Sequence, residues 1–304
     1  MADLVMRSTE ATSLEVMLNK VIDDKERPGK MYYNKWLKEE SGSGGQIDDL
    51  ETYGPGLAFE VPEGTDLPTA TMGEHTRFRY IPVKYGVILQ ITEEALEDNK
   101  HPQVLRLAQR TKRAIMKTIE VVSHDLLNRM FNTSYPIGDG LPLGSASHTL
   151  GNAGTFSNYM AAPQLSPSIT ALERALSDIT AMVGHDGEIE GYNGKRVVCP
   201  HGQKFAWKQV LKSGQSPETY QGINAVSAAE TGLEAEPVAT PFWNASTTNW
   251  CIQTDADNPA KIYFWRRPRG RAWREEGPQV MRYSTDTRFV VGCSDARAFY
   301  CVEA

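Results

Sequence analysis

The sequence predicts an α+β fold, and three observations carry that reading. From residue 236 onward strand patterns dominate: PVATPFW, TNWCIQT, KIYFWRR, QVMRYSTDTRFVVGCSD and RAFYCVEA. One long amphipathic helix is expected over 102–132. Helices and strands alternate without the regular βαβ order that would build a parallel sheet.

The elements follow in order. Residues 12–23 read as a short amphipathic helix, with Thr12 and Glu15 at capping-box spacing and Leu14, Met17, Leu18, Val21 and Ile22 on one side. Arg27, Pro28 and Gly29 stop it. An apolar patch, MYYNKWL at 31–37, precedes SGSGG at 41–45, which is flexible by composition. Nothing in 1–45 could form a core alone, so this part reads as an arm that lies on something else.

Residues 57–61 (LAFEV) are strand-like, 62–71 are turn-rich, and 76–92 (TRFRYIPVKYGVILQIT) form a long strand pattern. The alternation slips at Pro82, which cannot donate to a ladder and suits an edge or a bulge. Two extended segments around a polar tip describe a protruding hairpin, marginal unless another molecule packs on it.

The helix over 102–132 has Pro102 where a helix begins. Val104, Ala108, Ile115, Ile119, Val122, Leu126 and Met130 recur every three or four residues, giving a rod of roughly 45 Å. Residues 139–158 are a loop by their Gly, Ser and Asn content. A second helix is expected from Ser168 to about Gly184, on the stripe Ile169, Leu172, Leu176, Ile179 and Met182. Arg196–Pro200 reads as a buried strand and His201–Ser213 as another helix.

Composition bounds the function. Of 304 residues, 40% are hydrophobic and 23% charged, as in ordinary globular proteins. The net charge of -6 gives no bulk attraction to nucleic acid or anionic membrane. That argues against a sequence-specific DNA binder but leaves room for a container. No apolar run approaches the ~20 residues that span a bilayer, and with acidic Asp3 and no continuous apolar stretch the N-terminus is not expected to be a signal peptide. Cys199, Cys251, Cys293 and Cys301 are scattered without a CxxC pair and the histidines are dispersed, so zinc-ligand spacing is absent and free thiols are expected. No cofactor, metal site or catalytic residue is predicted.

The chemistry-bearing residues point the same way. G-x-S-x-G, H-E-x-x-H and GxxxxGK[ST] are missing. His185 and Asp186 read as a turn after a helix. Ser145 or Ser147 with His148 could pair a nucleophile with a base, which keeps a serine hydrolase as an alternative of another class. Glu93, Glu94, Glu97 and Asp98 read as a solvated helix face or as ion-pair partners of a neighbouring subunit. Arg266, Arg267, Arg269, Arg271 and Arg274, interleaved with Trp265 and Trp273, form the one concentrated basic cluster. It reads either as a nucleic-acid contact or as an inter-subunit patch pairing with acids such as Glu275, Glu276 or the 93–98 run. The acidic balance of the chain favours the second.

In this order of arm, hairpin, long helix, mixed lobe and returning strands, the chain resembles the major capsid proteins of tailed phages, the Hong Kong 97 fold family, and among them the Mu-like head subunits. The likeness runs from about Phe59 to Ala304. It rests on the stretch 61–99 (VPEG…YIPVKYGVILQITEEALEDN), the long helix, DGLPLGSASHTL at 139–150 with Gly144 where the family commonly has Phe, and YSTDTRFVVGCSDARAFY at 283–300. The resemblance implies an N-terminal arm (1–52), an extended loop (53–92), a peripheral domain with the spine helix (93–160), an axial domain (161–265) and closing strands returning to the peripheral domain (266–304). It makes His148 part of a structural loop.

On the extended loop, assembly contacts are expected at Phe59, Pro62, Glu63, Asp66, Pro68, Arg77 and Arg79. Elsewhere they are expected at Glu93, Glu94, Arg266, Arg267, Arg269 and Arg271. The implied partners are further copies of the chain in hexamers and pentamers, a portal, a scaffolding protein (a separate chain, on the evidence of Met1), a decoration protein, and packaged double-stranded DNA held without specificity. No membrane is involved. The implied place is the virion, assembled in the bacterial host cytoplasm. A prokaryotic nanocompartment shell of the same fold is the alternative within this class.

Overall fold

Strand pairing sorts the chain into two main sheets and two short ribbons. The structure, a computed structural model, describes residues 31–54, 56–69, 72–92, 94, 101–151, 154–160, 166–213, 224–275 and 280–303. The helix expected over 12–23 lies outside them. The first sheet has the order β1-β11-β12-β4, from Lys38–Ser41 (β1), Lys261–Glu275 (β11), Val280–Gly292 (β12) and Val83–Thr92 (β4). The second has the order β7-β13-β10-β8-β9, from Tyr159–Met160 (β7), Phe299–Val302 (β13), Trp250–Thr254 (β10), Gly194–Pro200 (β8) and Val238–Thr240 (β9). Ile47–Tyr53 (β2) and Gly73–Tyr80 (β3) form an antiparallel ribbon; His148–Thr149 (β5) and Thr155–Phe156 (β6) form another.

The helices cover these sheets. Helix α1, His101–Asn128, is the expected rod. Its N-terminal half places Val104 and Ala108 against Ile91, Met281 and Tyr283. Its C-terminal half places Ile115, Ile119 and Leu127 in a cluster with Trp36, Phe264 and Phe289. Helix α2, Ile169–Thr180, starts where Ser168 accepts from the Ala171 N–H, an N-cap that satisfies one orphan donor. With α3, Lys204–Lys212, it covers the other face of the second sheet, where Leu172, Ile179 and Trp207 meet Val197, Trp250 and Ile252. A one-turn helix, α4, spans Ala228–Thr231. Strands β10 and β13 are buried on both faces, so their sequences (WCIQT and FYCV) do not alternate apolar with exposed polar residues.

The segment 31–53 lies on its own chain. Tyr33, Trp36 and Leu37 are buried in the central cluster, and β1 runs parallel to β11 from Lys38↔Lys261 to Ser41↔Phe264. Gly42 serves close approach and Gly44 a left-handed backbone (φ +74°) rather than looseness. A Cβ on Gly42 would sit 2.4 Å from the Trp265 ring, and Trp265 donates its indole N–H to the Gly44 carbonyl at 2.8 Å. Residues 57–61 carry no strand. The ribbon's first strand is β2, ten residues earlier, whose acidic residues hide its pattern.

One buried side chain ties the two halves of the chain together. Asn158 donates through Nδ2 to the carbonyls of Leu143 (2.7 Å), Ala296 (2.8 Å) and Phe299 (3.1 Å), while its Oδ1 accepts from the Ser145 N–H at 2.9 Å. Replacing Asn158 by Ala strands these buried groups. The expected cost is about 3 kcal/mol, read as a lower urea midpoint with an unchanged slope.

Candidate assembly surfaces

The β2–β3 ribbon is fixed at its root and free at its tip. At the root, the Tyr80 hydroxyl bonds Ser294 Oγ at 2.5 Å, and Ser294 donates to Asp49 Oδ2 at 2.7 Å. Asn258 and Lys261 approach the same carboxylate at 3.2 and 3.7 Å. Burial raises the Asp49 carboxyl, but these donors outweigh it and hold it below its ordinary range. Gly292 leaves room for the Tyr80 ring, since a Cβ there would lie 2.3 Å from it. At Ile81-Pro82 the chain leaves the ribbon and enters β4, so the slip in alternation marks a change of sheet.

Beyond the root the ribbon carries the loop 54–72. Its described tip is a β-turn, with Thr65 N–H bonded to the Pro62 carbonyl at 3.2 Å and Gly64 at φ +82°. Pro62, Glu63, Asp66 and Pro68 are all exposed. So are four large apolar side chains: Leu57 (66%), Phe59 (65%), Leu67 (81%) and Met72 (83%). Arg79 meets Asp48 across the ribbon at 3.0 and 3.3 Å, and Arg77 meets Glu74 at 3.9 Å, both exposed pairs worth little. Strand β4 adds a second apolar surface at the sheet edge through Val83, Val87 and Ile88, all exposed.

Within the basic cluster Arg266 and Arg269 are half-buried, while Arg267, Arg271 and Arg274 are exposed. Strand β11 continues through it to Glu275, and its pairing with β12 is irregular between Phe264 and Arg269, where Pro268 stands. There Arg266 Nη1 and Arg269 Nε both donate to Asp286, at 2.6 and 3.0 Å. Partial burial raises Asp286, but the two guanidiniums outweigh it and hold the carboxyl below its ordinary range. Arg267 bonds Glu39 on β1 at 2.9 Å and lies over the Phe264 ring. Among the described residues Arg266 and Arg269 thus pair with Asp286 and Arg267 with Glu39, while Glu275 pairs with Arg282 at 2.7 Å. Arg271 and Glu94 are exposed, and Glu93, Glu97, Asp98 and Glu276 lie outside the described residues.

His148 is committed to structure. Its Nδ1 lies 2.6 Å from Asp139 Oδ2, and its Nε2 lies 3.1 Å from Asn158 Oδ1 and 3.2 Å from the Leu143 carbonyl. Both ring nitrogens therefore face oxygen acceptors, and the ring is 1% exposed. Among the described residues no hydrogen bond links it to Ser145 or Ser147, so the hydrolase geometry is not formed. At Gly144, the position where the resemblance led one to expect Phe, the ring of Phe131 and Cys301 occupy the space a side chain would need.

A spine helix backing one sheet, a second sheet packed between helices, and a rooted ribbon with an uncovered apolar loop define a shell-building subunit of the Hong Kong 97 type. The match of residues 77–302 to the family described as phage capsid protein places this chain in that family, and the protein belongs to it. Solved structures share the fold at low identity. A phage-related protein from Bordetella bronchiseptica RB50 is 13% identical with a TM-score of 0.55, over 94% of this chain and 95% of that one. The capsid of Myoviridae phage XM1 is 11% identical with a TM-score of 0.53, over 92% and 93%. The SrpI encapsulin complex from Synechococcus elongatus PCC 7942 is 9% identical with a TM-score of 0.50, over 92% and 91%. No curated protein matches the sequence.

The Asp286 fork gives a test by stability. Asp286→Asn is expected to lose about 2 kcal/mol at neutral pH. A carboxyl held low stabilises above its ordinary range and loses that contribution as acid protonates it. The gap in unfolding midpoint between wild type and variant should therefore close as pH falls below about 3.9.

Proposed function

We propose that this capsid protein is the principal subunit of a closed icosahedral shell, assembled as hexamers and pentamers in the bacterial host cytoplasm around double-stranded DNA. The observation that carries the proposal is the loop 54–72, which holds Leu57, Phe59, Leu67 and Met72 away from the chain's own core. Apolar area of that size in a soluble subunit calls for a partner surface, and a further copy of the chain supplies it. The same reasoning covers the exposed residues of β4. Helix α1 with the first sheet forms the peripheral unit of this proposal, and α2, α3 and the second sheet form the axial unit. A portal, a scaffolding protein and a decoration protein complete the particle. DNA is held without sequence specificity, in keeping with the acidic chain, and the subunit performs no catalysis.

The test separates folding from assembly. The triple variant Leu57→Ser, Phe59→Ser and Leu67→Ser should keep the wild-type unfolding midpoint, because these side chains make no core contact. Negative-stain microscopy should then show dispersed subunits or isolated rings where the wild type closes into hollow particles. Closed particles of normal size from the variant would remove the loop from assembly. Particles holding a protein cargo in place of DNA would favour the nanocompartment reading.

A further inference from the structure

At the loop-ward end of the ribbon, three residues far apart in the sequence converge. Glu51 comes from β2, His75 from β3, and His185 from the turn after α2, which closes with a Val183↔Ile189 bridge. One ligand atom from each lies within 4.8 Å of the other two. The two imidazoles face each other at 4.8 Å between centroids, and His185 Nε2 is 3.3 Å from Glu51 Oε2. The side chains of Glu51 and His185 are only 10% and 17% exposed. They line a small cleft together with Asp295 and Arg297.

The hydrogen bonding of this cluster is unresolved within the chain. His185 Nε2 sits between a donor, Arg297 Nη1 at 2.8 Å, and an acceptor, Glu51 Oε2, and a single ring nitrogen satisfies only one of them. Glu51 Oε1, His185 Nδ1 and Arg297 Nη2 are all buried with no hydrogen-bond partner among the described residues.

We infer that Glu51, His75 and His185 form a binding site for a divalent transition-metal ion of the zinc class, which braces the root of the extended loop against the α2 turn. Two imidazoles, one carboxylate and one open position form a ligand set that Zn²⁺ accepts. Tetrahedral bonds of about 2.1 Å place donors about 3.4 Å apart, so the three side-chain ends close by roughly an ångström. With Nε2 of His185 on the metal, Arg297 is released toward Glu51 Oε1 and Asp295, which it already contacts at 3.2 Å.

The experiment uses the full chain, stripped with a chelator and titrated with ZnCl₂ by calorimetry and by thermal unfolding. Saturation at one ion per chain, with a rise of several degrees in the unfolding midpoint, is expected. His75→Gln and Glu51→Gln should each weaken binding at least tenfold. Co²⁺ in place of Zn²⁺ should show the visible bands of a tetrahedral site, lost in His185→Gln. Absence of saturable binding, or equal binding by the His75→Gln and His185→Gln double variant, would overturn the inference. The readout does not depend on shell formation, so it stands or falls apart from the assembly proposal.

Discussion

Ten consecutive residues, Cys293 to Val302, are buried, and the rest of the architecture is arranged to satisfy them. The chain here passes from the first sheet, which it leaves at Gly292, to the second, which it enters at Phe299. A crossing through the interior exposes backbone to a low-dielectric surround, where each unpaired polar group is costly. Partners come from within the crossing and from other elements. Asp295 accepts from the Arg297 N–H, Thr254 donates to the Arg297 carbonyl, and Asn158 takes the carbonyls of Ala296 and Phe299. The Arg297 guanidinium is held by Asp295 and the Val183 carbonyl and lies over the Phe156 ring. A buried arginine of this kind specifies one arrangement rather than many, because any slip leaves a charge unpaired.

The long helix and the buried strands were legible because their apolar periodicity reports contact with the chain itself. Ile115 and Ile119 are buried where a 3.6-residue repeat puts them, and α2 begins at Ile169, one residue after the expected start. The same signal misled at 57–61. Those apolar residues are exposed in the subunit, and periodicity does not distinguish burial within a chain from burial against another. Strand β2 was missed for the converse reason. Its Asp48, Asp49 and Glu51 look solvated in the sequence, yet Arg79, Ser294 and His185 engage them.

The surfaces were legible to different degrees. The loop tip at Pro62, Glu63, Asp66 and Pro68 is as uncovered as its composition suggests. In the arginine cluster the pairing of Arg266 and Arg269 within the chain was not legible, because the reading stopped strand β11 before Pro268 and so did not bring Asp286 opposite Arg269. Long-range pairing of this kind leaves no local trace. The Glu51, His75 and His185 cluster illustrates the limit: its members are separated by 24 and 110 positions, so no spacing rule finds it.

The anchoring of the ribbon also sets a clock. Strand β1 pairs with β11, and the ribbon root is held by Ser294 and flanked by Arg297, so both wait for sequence near the far end of the chain. During synthesis from the N-terminus, the residues of the loop emerge long before the groups that aim it. A nascent chain thus carries this apolar loop unaimed until the residues around Ser294 have been made.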